Sequence, residues 1–106
     1  MNNRIEILKQ YLSEDPDDNF LRYALALEHF SSGELINAET NLVELLENNP
    51  EYLAAYYQLG KTFEALGKTC EAAETYSKGI LVAEKQKNMK TLAELKSALE
   101  MLEEYN

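Results

Sequence analysis

The sequence predicts an all-α fold of stacked helix pairs, about six helices in all. Three observations lead there. Apolar residues recur at helical spacing through most of the 106 residues. No stretch alternates apolar and polar positions with β-branched residues, as a half-buried strand would. The chain also repeats itself. Pro16 and Pro50, Tyr23 and Tyr57, Leu25 and Leu59, Gly33 and Gly67, and Ala38 and Ala72 are each 34 residues apart, and Leu8, Leu42 and Tyr76 form a triple at that spacing, as do Leu12, Leu46 and Ile80. So many coincidences in one register mark a structural repeat.

The elements follow in order. Residues 3–13 place Ile5, Leu8 and Leu12 on one helical face. The run Asp15-Pro16-Asp17-Asp18 stops that helix and offers an aspartate cap to the next. Over 18–32, Phe20, Tyr23, Ala24, Leu27 and Phe30 share one side, while Leu21, Leu25 and Ala26 share another. Two apolar faces imply a helix packed on two sides. Ser32-Gly33 turns the chain. Residues 35–48 form the next helix, with Leu35, Ala38, Leu42, Leu45 and Leu46 inward. Pro50 is expected to open a helix over 51–66, where its missing N–H is harmless. Helices over 68–87 and 89–104 complete the chain, the last with Met89, Leu92, Leu95, Leu99 and Leu102 on one face.

Composition sets bounds. A chain of 106 residues makes one domain. With 45% hydrophobic and 27% charged residues, four Gly and two Pro, it is neither fibrous nor disordered. No run of apolar residues is long enough to span a bilayer, and Glu6, Lys9 and Gln10 interrupt any signal-peptide core. A cytoplasmic location without membrane insertion is the expectation. The net charge is −9. Residues 1–60 hold eleven acids and three bases, so the first half repels phosphate backbones and no nucleic acid is expected as a partner. The five lysines among residues 78–96 read as a solvated helix face.

Catalytic and metal chemistry has little to stand on. The single histidine, His29, occupies the slot that Phe63 fills one repeat later, so packing explains it better than base catalysis. Cys70 starts a helix, but no basic partner that would activate its thiol is evident nearby. One cysteine makes neither a disulfide nor a cysteine-rich metal site. Asp15, Asp17 and Asp18 lack the glycine and the closing glutamate of a calcium loop, and capping accounts for them. Glu100, Glu103 and Glu104 read as a solvated end. Gly60, Gly67 and Gly79 have packing or turn roles instead of forming a phosphate loop. No enzyme activity, cofactor or metal is expected.

The second unit resembles a tetratricopeptide repeat. That family's pattern is an aromatic, Leu-Gly, an aromatic, Ala, an aromatic and Pro over 34 residues. Here it reads Tyr56, Leu59-Gly60, Phe63, Ala72 and Tyr76, with Glu84 in the proline slot, so the second helix of the pair should run on to about Lys87. The first unit keeps Leu25, Ala38, Leu42 and Pro50, with Arg22, Ala26 and His29 elsewhere in the pattern. The resemblance divides the chain into a half-repeat helix (1–16), a repeat (17–50), a repeat (51–87) and a capping helix (88–106). It implies a short right-handed superhelix with one concave wall. Gly60, Ala26 and Ala72 then mark helix crossings, where small residues permit close approach.

The resemblance also implies where a partner binds. In such proteins the first helix of each unit lines the groove, which gives Phe20, Tyr23, Leu27 and Phe30 from one unit and Ala54, Tyr57, Lys61 and Glu64 from the next. The slots that grip a peptide carboxylate in one subclass of the family hold Tyr23, Leu27 and Gln58 here, so that clamp is not expected. The groove should take an apolar or aromatic segment or helix, on a site of Phe20, Tyr23, Leu27, Phe30, Tyr57 and Lys61. Two functions stay open: a scaffold or adaptor for a protein or peptide partner, and a self-association module that forms a homodimer through the same wall. Coverage of part of the wall by the N-terminal helix, Phe20 above all, is also open.

Overall fold

The computed structural model describes residues 3–104. Its six helices are α1 (Asn3–Glu14), α2 (Asn19–Ser31), α3 (Leu35–Asn48), α4 (Ala54–Ala65), α5 (Thr69–Gln86) and α6 (Met89–Glu104). There is no strand among the described residues, and none of their helices is long and apolar enough to cross a membrane. Asp18 caps α2 as expected, its side chain accepting from the Leu21 N–H at 3.0 Å.

One boundary is corrected. Pro50 does not open α4. It lies in a turn with Glu51, and the Tyr52 N–H donates to the Asn49 carbonyl at 3.1 Å. The Pro50 carbonyl accepts the Tyr56 hydroxyl at 2.7 Å. Three residues therefore go to this turn before the helix starts at Ala54. The proline acts through its fixed φ and its carbonyl, and not as a first helical residue.

The two turns inside the helix pairs are near copies. Gly33 and Gly67 have φ of 79° and 76°. In the first turn the Glu34 N–H donates to the His29 carbonyl at 2.8 Å and the Gly33 N–H to Phe30 at 3.1 Å. In the second, the Lys68 N–H reaches Phe63 at 2.8 Å and the Gly67 N–H reaches Glu64 at 3.0 Å. These are the paired bonds of a Schellman motif, which needs a left-handed residue and so favours glycine. The α5–α6 turn makes the same pair of bonds around Lys87, with φ of 58°, and Asn88 then caps α6 by accepting from the Thr91 N–H at 3.1 Å. The extension of α5 to Gln86 matches the reading of Glu84 in the proline slot.

Close packing holds the layers together. A Cβ placed on Gly60 would stand 2.1 Å from the Tyr76 ring, and one on Gly79 would stand 2.7 Å from Tyr56 Cβ. Ala26, Ala55, Ala72 and Ala83 are fully buried in one cluster with Leu42, Leu45, Tyr76 and Leu95. Helices α2, α4 and α6 approach one another in sequence, α2 to α4 and α4 to α6, whereas α1, α3 and α5 do not meet. One layer is thus tighter than the other, and the stack curves toward the α2, α4 and α6 side.

Candidate functional site

The structure divides the six wall residues of the sequence reading into two groups. Tyr57 and Lys61 line a groove of about 310 Å³ whose other side is α6, through Ala93, Glu94, Ser97, Ala98 and Met101. Phe20, Tyr23, Leu27 and Phe30 lie along α2 outside that groove. Phe20 is 67% exposed, so α1 leaves it open, while Tyr23, Leu27 and Phe30 are half-buried. Helix α1 packs along another edge of α2, where Arg4 Nε meets Glu28 Oε1 at 2.6 Å and Ile5 and Lys9 border a cavity shared with His29 and Ser32.

The wall tyrosines are anchored from behind. The Tyr23 ring stands 5.5 Å from that of Tyr52, in the α3–α4 connection, and the Tyr57 ring stands 6.3 Å from that of Tyr76. Both spacings suit aromatic pairs. Burial raises the pKa of Tyr23, with the neighbouring Tyr52 adding to it. Burial raises that of Tyr76 too, reinforced by the hydrogen bond its hydroxyl donates to Glu64. Lys61 Nζ sits 5.4 Å from the centre of the Tyr57 ring and 3.8 Å from Glu64 Oε2. Its charge is therefore shared between a ring face and a carboxylate, and it is not a lone cation on the wall.

Two contributions to this surface escaped the sequence reading. Tyr52 falls in what was expected to be helix, and its contact with Tyr23 depends on the turn that replaces it. The α6 residues escaped because the register changes. Adding 34 to Tyr57 and Lys61 gives Thr91 and Leu95, yet Leu95 is fully buried. The groove residues Ala93 and Ser97 lie 36 positions on, and the core pair Leu59 and Leu95 obeys the same 36. The longer α5 inserts two residues into the period. Its missing proline was the available signal.

Neither His29 nor Cys70 lines the groove. His29 is 3% exposed, with Nδ1 2.6 Å from Glu34 Oε1. Cys70 is exposed near the start of α5. No group of His, Cys, Asp or Glu among the described residues is placed to hold a metal ion.

A curved stack of antiparallel helix pairs with an inner groove is the architecture of an α-helical repeat protein. A family model for the tetratricopeptide repeat (TPR) matches residues 1–80, and the chain belongs to that family. It is similar to a TPR repeat-containing protein of Pseudomonas aeruginosa, 29% identical over 79 residues that make up 74% of this chain and 75% of that protein. A tetratricopeptide repeat domain protein from Salinibacter ruber, solved by NMR, is 41% identical and superposes with a TM-score of 0.82 over 87% of this chain and 93% of that one. The TPR2B domain of yeast Sti1, solved in complex with pHsp70, shares the fold with a TM-score of 0.89 at 14% identity, over 96% of this chain and 82% of that one. The chain is thus an all-α superhelix of tetratricopeptide repeats, a fold that generally serves protein–protein interaction and not catalysis.

Proposed function

We propose that the chain is a non-catalytic scaffold or adaptor module that binds an apolar or aromatic peptide segment or helix of a partner protein on its inner face. The whole of residues 1–106 acts as one domain, with the half-repeat, two repeats and capping helix described above, and works in the cytoplasm without cofactor, nucleic acid or membrane insertion. The observation that carries this reading is the open inner surface. An apolar ring, Phe20, is 67% exposed at one end, and a groove of about 310 Å³ between Tyr57, Lys61 and Met101 lies at the other. Exposed apolar surface joined to a concave site is the usual mark of a docking face. The complex of the Sti1 domain with pHsp70 supports a peptide-sized occupant for this fold.

The site comprises Phe20, Tyr23, Leu27, Phe30, Tyr57 and Lys61, extended by Ser97 and Met101. NMR titration with a panel of short amphipathic peptides, carrying Leu, Phe or Trp at helical spacing, tests it. Shifts should fall on α2, α4 and α6. Tyr57→Ala should weaken binding by about 2 kcal/mol, as for an interface hot spot. If no peptide of the panel binds, or shifts map to α3 and α5 alone, the inner face is not the site. Sedimentation over a range of concentrations separates the alternative, a homodimer through the same wall. A concentration-dependent dimer abolished by Phe20→Ser would favour self-association.

A further inference from the structure

The outer face carries a second groove that the inner-face reading leaves unused. Because α3 and α5 do not meet, they leave a trough of about 370 Å³ between them. Its floor is the back of α4, Tyr56, Leu59 and Phe63, and its walls are Val43 and Leu46 on one side and Thr75 on the other. Bridges join the units at both ends of α5. At one end Lys68 Nζ meets Glu39 Oε1 at 2.9 Å. At the other, Lys85 Nζ meets Glu51 Oε1 at 3.2 Å and the Gln86 amide donates to the Glu51 carbonyl at 2.7 Å.

The rim has one dominant sign. Glu47 on α3 and Glu71 and Glu74 on α5 border the trough together with Lys78, while Lys68, near the Phe63 ring of the floor, is held by Glu39. Lys78 is engaged with Glu74 at 3.6 Å, and Glu47 and Glu71, both exposed and without an ion pair among the described residues, border the same apolar floor. An apolar floor under two uncompensated carboxylates selects its ligand: an apolar anchor for the floor and cations beside it for the rim. We infer that the α3–α5 trough is a second docking site, taking a short segment of a partner protein in which Leu, Ile or Phe is flanked by Lys or Arg.

The occupant is not a nucleic acid or an anionic lipid surface, since both would meet the acidic rim unfavourably. Nor does it compete for the inner groove, because α4 separates the two faces. One domain then holds two segments at once, an apolar one inside and a basic amphipathic one outside.

The test uses the full chain and three fluorescein-labelled synthetic peptides: a leucine pair at helical spacing flanked by lysines, the same sequence with glutamates for lysines, and the same with serines. The lysine peptide should bind, shift the Val43, Leu46, Glu47, Glu71 and Thr75 resonances, and weaken as salt screens the rim. The double variant Glu47→Lys, Glu71→Lys should lose about tenfold or more in affinity for it, as expected for facing charges at an interface, with an unchanged melting curve. Leu27→Ala on the inner face should leave this binding intact. Equal binding of the serine or glutamate peptide, shifts confined to α2, α4 and α6, or an unaltered affinity in the double variant would each overturn the proposal. So would a mass that rises with concentration and falls in the double variant, which would put a second copy in the trough.

Discussion

The two helix pairs, α2–α3 and α4–α5, reach the same backbone through different side chains. At the crossing, the second pair sets Gly60 against Tyr76, and the first places Ala26 and Leu42 in the equivalent slots, both fully buried. A larger ring is matched by a smaller partner. At the turn, the second pair sets Lys68 Nζ 5.8 Å from the Phe63 ring, while the first pairs His29 with Glu34, 34 positions earlier at each site. The lesson is that the repeat constrains the summed volume of a slot pair and the φ of one turn residue. It leaves the chemistry of each slot free.

The largest effect should come from breaking the volume match. Gly60→Ala forces a methyl to within 2.1 Å of a fully buried ring and should cost about 1–3 kcal/mol or more, read by thermal denaturation. Adding Tyr76→Leu to that variant rebuilds the first pair's combination, and the double variant should melt higher than Gly60→Ala alone. If the two losses simply add, the slots do not trade volume.

Alkali should act next, and mainly on the second pair. Burial raises the pKa of Tyr76 above its ordinary 10.0, with the Glu64 bond reinforcing it, and burial also raises those of Tyr52 and Tyr56. The folded state holds these phenol protons more tightly than the unfolded one. The stability they contribute is complete below pH 10.0 and is lost as the pH climbs from there toward the raised values. Melting temperature should fall across that window, and less steeply in Tyr76→Phe.

The glycine turns should respond alike. Neither Gly33 nor Gly67 has an atom within 4 Å of an added Cβ, so the penalty of alanine is backbone strain alone. Gly33→Ala and Gly67→Ala should each cost about 1 kcal/mol, and a large disparity between them would show that the turns are not equivalent. Lys87→Gly is the smallest change and has the opposite sign. It relieves a left-handed lysine at the α5–α6 turn and should stabilise by about 0.5 kcal/mol in chemical denaturation.

The same contrast explains what the sequence made legible. The 34-residue register exposed the features that depend on slot type: the six helices, the crossing at Gly60, the turns at Gly33 and Gly67, and the packing of His29. It failed where geometry departs from the period. The Pro50–Glu51 turn shortened α4 from its front, which placed Tyr52 beside Tyr23. Two extra residues in α5 rotated α6 relative to the expected register, which brought Ser97 and Met101 into the groove. The outer trough was invisible for another reason. It arises from the divergence of α3 and α5, and curvature of a stack is not written in the apolar pattern of any single helix.

The paired rings have an optical consequence. The chain has seven tyrosines and no tryptophan, and two of the pairs, Tyr23 with Tyr52 and Tyr57 with Tyr76, stand 5.5 and 6.3 Å apart between centroids. Emission from this protein is phenolic, and excitation passes readily between rings so close. A peptide that carries one tryptophan would be the sole indole in the sample and a sink for that energy. Quenching of tyrosine emission would then report binding of the peptide without any label on the protein.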